Sequence, residues 1–429
     1  MKDTQDNKTN ELTGKVSRRR FFRDATATAA VTAGTLSLQG CGGNNGSESA
    51  QKPVGKPVEK AVQEPGKVKY VILGRTGLRV SQFLGDRMAE VEMYKAALDA
   101  GINYWHKFGQ WVDPAPYELF RNRDRDSFYC DTVIGTLDKD KAIELFEERL
   151  AKTGLSRIDG FKIHSQYKTA EDVKTKMGAV QAFEQLKKQG KTSFLMMSQH
   201  TNTSEIFEAA IESDMFDLIQ VPVNPTVPRD YFTKEEYSQT TQDNYLALIK
   251  KASDKGIAVT AMKVFLYGAK NWEEVPDLKN RVNKYLPDNQ SIATALIHWT
   301  LNVPGVVAYG SMLYSFDELK ENLEAVGGKL TAQENEGLKR FAECMGGYYC
   351  RMCGACERAN PDGVAVSDIL RFSGYYSGFG QHNIARAFYA DIPYSKRVDA
   401  VKNLKPYEEA CPYGLPVAKL LRNAHSKLA

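Results

Sequence analysis

Four cysteines near the C-terminus carry the clearest chemistry in this 429-residue chain. Cys350-x-x-Cys353-x-x-Cys356 sets three thiols in one short loop, and Cys411-Pro412 supplies a fourth far downstream. Three thiolates at that spacing with a distant Cys-Pro form the ligand set of one [4Fe–4S] cluster. Zinc also takes four thiolates, but usually as two C-x2-C pairs, which this spacing fits poorly. The expectation is one [4Fe–4S] cluster on Cys350, Cys353, Cys356 and Cys411, with zinc as the alternative. Cys130 and Cys344 sit in apolar stretches and read as buried thiols, so no disulfide framework is implied.

The N-terminus suggests where this chemistry operates. Ser17-Arg18-Arg19-Arg20-Phe21-Phe22-Arg23, followed by a mildly apolar run from Ala25 to Leu38, matches a twin-arginine export signal. That route carries folded proteins, so a cluster could be inserted before export. The run is too short to span a bilayer, and no other stretch is apolar enough. Leu38-Gln39-Gly40-Cys41 has the form of a lipoprotein processing site. The expected product is periplasmic, either soluble after simple cleavage or anchored to the membrane by a lipid on Cys41. Residues 42–67 are rich in Gly, Asn, Ser, Pro and charge and read as a flexible tether. A net charge of +4 does not suggest a nucleic-acid partner.

The elements that must position any site alternate between strand and helix. Strands are expected at Ser81–Leu84, Ile102–His106, Ser127–Val133, Ile158–His164, Ser193–Ser198, Asp217–Val221, Ile257–Met262 and Gly305–Tyr309. Helical stretches such as Ala142–Leu150 and Ala170–Gly190 lie between them. Eight βα units predict an α/β fold, a (β/α)8 TIM barrel, with a C-terminal mainly helical iron–sulfur segment. Lys69–Leu73 and Leu78–Val80 read as a hairpin in front of the barrel. The expected divisions are a signal at 1–41, the tether at 42–67, the barrel at 68–330 and the cysteine-bearing segment at 331–429.

Several motifs give this barrel a family resemblance. Leu73-Gly-Arg-Thr-Gly-Leu-Arg-Val80, Ala97-Leu-Asp-Ala-Gly-Ile-Asn-Tyr104, Ile158-Asp-Gly-Phe-Lys-Ile-His164, Phe183-Glu-Gln-Leu-Lys-Lys-Gln-Gly-Lys191 and Leu319-Lys-Glu-Asn-Leu323 resemble the aldo/keto reductases. The C-terminal segment, including Cys411-Pro-Tyr-Gly-Leu-Pro416, resembles the ferredoxin-like extension of one branch of that family. Two-cluster ferredoxins carry two cysteine runs. Counting back from Cys411 lands on Tyr407, Leu404 and Val401, and the first run ends in Asn360-Pro361, so one cluster's four positions have been lost together.

The resemblance implies carbonyl reduction by a tyrosine acid, assisted by a lysine, an aspartate and a histidine. Here the aspartate position reads His106, the tyrosine position Trp111 and the lysine position Val133, leaving His164 alone. Family-type carbonyl reduction is therefore not expected, and His164 and His106 remain as candidate catalytic residues. The resemblance also places NAD(P) contacts at Ser198, Gln199, Gln220, Glu321 and Asn322. Met262 replaces the residue that stacks on the nicotinamide, and Tyr314 stands near the usual grip on the 2′-phosphate. His106, His164 and His200 fall at strand ends that converge on one barrel face, where three imidazoles could bind a metal. A retained His164, a filler His106 and a loop His200 explain the same pattern without one.

Two functions are compatible with these residues. The first is an exported iron–sulfur oxidoreductase that passes electrons between an electron partner and a small molecule in the barrel, with the cluster near the barrel mouth and Tyr348-Tyr349 and Tyr375-Tyr376 beside it. The second is a binding or structural protein on a retired enzyme scaffold, its cluster holding the C-terminal segment in shape.

Overall fold

The computed structural model describes residues 68–111, 113–200, 203–226, 245–268, 272 and 275–429. The export signal, Cys41 and the tether lie outside the described residues. Residues 68–429 pack as one unit.

An antiparallel hairpin, β1 (Tyr70–Ile72) and β2 (Arg79–Ser81), precedes eight parallel strands that close into a barrel. These are β3 (Phe83–Met88), β4 (Tyr104–Trp105), β5 (Tyr129–Ile134), β6 (Gly160–His164), β7 (Phe194–Ser198), β8 (Leu218–Pro222), β9 (Ala258–Met262) and β10 (Val306–Leu313). The expected (β/α)8 barrel is present, and each expected strand overlaps an observed one. The hairpin plugs the N-terminal end. Leu73 and Val80 pack there with Leu84, Phe194, Met196, Leu218 and Ala308 in a dry layer. With that end sealed by apolar side chains, polar groups gather at the other.

Side chains alternate along each strand, so every second residue points inward. Asp131 and Val133 on β5 face Gly160 and Lys162 on β6 in register. Lys162 and His164 share that inward face, and Ser198, Gln220 and Met262 follow on the next strands. One expectation needs adjusting. The stretch Ala170–Gly190 is two helices, Ala170–Thr175 and Gly178–Lys188, and not one. The first helix is capped by Lys176, whose backbone turns to φ −93° and ψ 77°, and the second starts at Gly178, where a Cβ would lie 2.3 Å from the Leu137 carbonyl oxygen.

The helix Ala332–Met345 leads into the cysteine loop. Helices Val366–Phe379, His382–Ala390, Lys405–Glu409 and Val417–Leu428 then build a second core, mainly helical as expected. Leu404 and Tyr407 are buried in it and Val401 packs on it. The Tyr407 hydroxyl accepts from the Val364 N–H at 2.8 Å. The places of the missing cysteines are thus filled by apolar packing.

The segment lies on the barrel through two glycines one turn apart. A Cβ at Gly374 would meet the Tyr267 ring at 2.5 Å, and one at Gly378 would meet the Tyr267 carbonyl oxygen at 1.9 Å. Only hydrogen at both positions lets the helix sit this low. Arg371, Tyr375 and Phe379 occupy the same helical face by their spacing, so the glycine contact sets them over the barrel's C-terminal end. Among the described residues no helix is long and apolar enough to cross a membrane.

Candidate active site at the barrel mouth

A pocket of ≈ 410 Å³ opens at the C-terminal ends of the strands. This is the face where loops of a (β/α)8 barrel converge. Its walls come from Asp86, Val133, Lys162, His164, Ser198, Gln220 and Met262 on the strands. Lys107 and Lys263, just past β4 and β9, reach in from the rim. Both adopt left-handed backbone, φ 59° and 61°. Such residues are uncommon outside glycine, and their strain is held by the packing around them.

The floor is a buried ion pair. Lys162 Nζ lies 2.8 Å from Asp131 Oδ1, with both side chains almost fully buried. His106 Nδ1 meets Asp131 Oδ2, and its Nε2 lies 3.0 Å from Gln220 Nε2. Tyr104 donates to Asp131 at 3.1 Å. Burial alone would raise the Asp131 carboxyl, yet Lys162 and His106 hold it well below the usual carboxylate range. Burial, and then the Lys162 charge, push the His106 imidazole down, so it is neutral at ordinary pH. Gly310 makes room for it, since a Cβ there would stand 2.7 Å from the ring.

Sequence reasoning missed this pair. It placed the lysine at Val133, but a lysine stands on the neighbouring strand in register with Val133, paired to an aspartate one layer deeper. A single sequence carries the strands but not which residues face each other across them.

His164 Nδ1 lies 2.6 Å from Ser198 Oγ, and its ring meets that of His200 edge-on at 4.8 Å. Burial, and then Arg371, push both imidazoles well below their ordinary values. His106 is occupied by Asp131 and Gln220, so the structure does not gather the three histidines as ligands. Among the described residues no group of three or more His, Cys, Asp or Glu is arranged to hold a metal ion. Trp111 sits at the pocket edge but is nearly buried, stacked on Tyr117 at 5.2 Å and packed beside Trp105 and Phe108. It has become part of an aromatic core, and the pocket remains open above it.

The residues proposed to hold a dinucleotide are dispersed. Ser198 and Gln220 line the pocket. Gln199 is turned away, donating to the Tyr167 carbonyl at 3.0 Å. Asn322 is buried, accepting from Tyr309 at 2.9 Å and donating to the Glu318 carbonyl at 2.8 Å. Glu321 accepts from Ser291 and Thr294. Gln381 of the C-terminal segment lies 3.5 Å from the Tyr314 hydroxyl.

The roof carries a second charged group. Lys263 Nζ lies 3.4 Å from the Tyr375 hydroxyl, and Arg371 Nη1 lies 3.3 Å from it. The Lys263 ammonium stands 4.8 Å above the Tyr375 ring. Burial would raise this phenol, but Lys263 and then Arg371 outweigh it and bring it down to about 7. Arg371 also pairs with Asp368 at 2.5 Å, and Lys107 with Asp86 at 2.8 Å.

Behind the roof lie the four cysteines, all of them free thiols. Cys350, Cys356 and Cys411 pack on the same apolar core. Burial raises the thiols of Cys350, Cys353 and Cys356, the last to about 12, and each is raised further by other members of the set. Cys411 acts on both Cys353 and Cys356, so the distant cysteine has been brought to the loop. Cys356 is buried and Cys350, Cys353 and Cys411 are partly buried. Thiols are the donor type an iron–sulfur cluster takes, but among the described residues the four are not arranged as a metal site. The Met352 N–H donates to Cys350 Sγ at 3.4 Å. Arg351 ties this loop to the barrel, donating to the Thr226 carbonyl at 2.5 Å while its guanidinium covers Tyr413.

Tyr267 joins loop and pocket. Its hydroxyl lies 3.7 Å from Met352 Sδ, and its ring centre is 5.6 Å from that of Tyr349 and 6.0 Å from that of Tyr375. Nothing local in the sequence distinguishes Tyr267 from the chain's other tyrosines.

No protein-family model matches this chain, and no curated protein matches it. Solved structures do. The aldo-keto reductase AKR11C1 from Bacillus halodurans, in its holo form, is 18% identical with a TM-score of 0.50, over 64% of this chain and 96% of that one. Its apo form gives 18% and 0.50, over 64% and 95%. An aldo-keto reductase from a Medee basin deep-sea metagenome library is 16% identical with a TM-score of 0.47, over 63% and 94%. The first two carry the fold: this barrel is built like that of the aldo-keto reductases.

Proposed function

We propose that the protein is an exported iron–sulfur oxidoreductase acting on a small molecule in the barrel mouth. The cluster would be held by Cys350, Cys353, Cys356 and Cys411 and would supply single electrons. The observation that carries this reading is the position of Tyr267. It packs against the cysteine loop through Met352 and Tyr349 and against the pocket through Tyr375. A staple alone would not require an aromatic series to run from the loop to an open pocket.

The barrel's own residues have distinct parts in this scheme. Lys162 and Asp131 fix the floor, His164 and Ser198 offer a bonded polar wall, and Lys263 with Arg371 make the roof cationic. Dinucleotide binding loses support, because Gln199 and Asn322 are committed elsewhere and Gln381 lies across Tyr314. The alternative, a binding protein with a structural cluster, draws on the apolar core around Leu404 and Tyr407, which the cysteines help to close.

The test is anaerobic purification of the chain without its signal, with iron and sulfide analysis and EPR of the reduced protein. The reading expects about four irons per chain and a reducible signal, both lost in Cys411→Ala. Zinc in place of iron, or a centre that no mild reductant can reduce, would leave the binding-protein alternative.

A further inference from the structure

We propose that Tyr375, delivered by the C-terminal segment, is the acid–base group of the pocket, working on the oxygen of a small hydroxy or oxo carboxylate. This deepens the reading above and rests on it only in taking the barrel mouth as the substrate site.

The geometry begins with the helix Val366–Phe379. Gly374 and Gly378 press it onto Tyr267, and that contact fixes where Tyr375 can point. Its hydroxyl sits between two cations from different elements, Lys263 after β9 and Arg371 one turn earlier on its own helix. Two long cationic side chains converging on a phenol would be wasteful around a neutral hydroxyl, which gains little from them. They stabilise a phenolate strongly. The ring is only half-buried, and the residue lines the pocket, so the oxygen is within reach of a ligand.

The other groups near the phenol leave it as the one poised to exchange a proton. Lys107 faces it but is paired with Asp86. Arg371 has Asp368 as a second partner. Tyr267, packed edge-on against it, is raised well above its ordinary value by burial. His164 and His200 are held neutral by burial and the same cations. Lys162 is taken up by Asp131 below.

The cations also select the substrate. Among the described residues Arg87, Lys107, Lys162, Lys263 and Arg371 line the cavity with one wall carboxylate, Asp86. A carboxylate would be drawn to Lys263 and Arg371, placing a neighbouring hydroxyl or carbonyl beside the phenol. The step itself is a proton transfer. The substrate O–H bond breaks and the phenol O–H bond forms on the Tyr375 oxygen, with no change in oxidation state. The alkoxide left behind faces the same two cations. In the reverse direction the phenol returns that proton to an oxyanion.

The test is near-ultraviolet tyrosinate absorbance of the cluster-containing chain against pH, with oxalate as an inert dicarboxylate probe. In the wild type one tyrosine should ionise with a midpoint at about 7, and Tyr375→Phe should lack it. Lys263→Met, which keeps the phenol, should raise the midpoint by roughly one unit or more, a tenfold or greater change in proton affinity. Oxalate should raise the wild-type midpoint too, because a bound anion opposes the phenolate. A neutral-pH signal that persists in Tyr375→Phe, or none in the wild type, overturns the assignment. A midpoint indifferent to oxalate overturns the substrate class. None of these readouts depends on electron transfer, so they fail or succeed separately from the cluster's redox activity.

Discussion

The floor and the roof of the pocket use similar charges to opposite ends. Below, Asp131 and Lys162 neutralise each other with both side chains almost fully buried, and His106, Tyr104 and a backbone N–H complete the carboxylate's bonds. Above, Lys263 and Arg371 outnumber their acidic partners, and a phenol absorbs the excess. A compensated buried pair is inert and serves to hold shape. An overcharged, half-open group is responsive, and its proton can be moved by salt, ligand or substitution. The barrel therefore separates stiffness from reactivity by depth.

The largest expected effect lies in the floor. Lys162→Met leaves the Asp131 carboxylate buried without its partner and should cost about 3–5 kcal/mol in urea unfolding. Asp131→Leu with Lys162→Met should recover much of that loss. If the double variant is no better than the single, the pair is not the self-contained unit described here.

Next comes the seam between barrel and roof. Gly378→Ala sets a methyl 1.9 Å from the Tyr267 carbonyl oxygen, so helix or loop must move. About 1–3 kcal/mol of destabilisation is expected. A displaced roof would also carry Tyr375 away from Lys263 and raise its midpoint. An unchanged midpoint would show that the glycines do not set the phenol's position.

The third effect concerns stability against pH. A phenol at about 7 in the fold and near its ordinary value of about 10 when unfolded releases its proton first in the native state. Its contribution is absent below about 7, grows as the pH rises and is complete above the unfolded value. The stability gap between wild type and Tyr375→Phe should widen over that interval. The gain will be smaller than the full shift implies, because Tyr375 is only partly buried. A gap independent of pH would contradict the roof's electrostatics. The Asp131 carboxylate shows no such window at ordinary pH, since its contribution is lost only under strong acid.

The smallest effect is the response to salt. Added salt should raise the Tyr375 midpoint by a few tenths of a unit while leaving the cost of Lys162→Met nearly unchanged. Equal sensitivity at both sites would erase the distinction between them.

Much of the barrel was legible in the residues because its signals are local. Strand runs such as Ile158–His164 and the glycine-marked hairpin show themselves within a few positions. The cysteine spacing was equally local, and Cys411 packs on the same core as Cys350 and Cys356, but among the described residues the four are not arranged as a metal site. The site was less legible because its parts are joined across the fold. Asp131 and Lys162 each sit in an apolar strand, and only register shows them to be partners. Lys107 reads as an ordinary charged loop residue until its left-handed backbone aims it inward. Tyr375 could be noted near the cysteines, but Lys263 and Arg371 become its neighbours only through the glycine seam.

The low seat of the helix Val366–Phe379 has a temporal consequence. The ribosome releases all eight barrel strands before it releases the helix that completes their mouth. A nascent barrel would expose a cationic pit with no phenol to moderate it. The arrangement proposed for Tyr375 comes into being only when this later segment docks, so the order of synthesis would leave a barrel made ahead of it without that group.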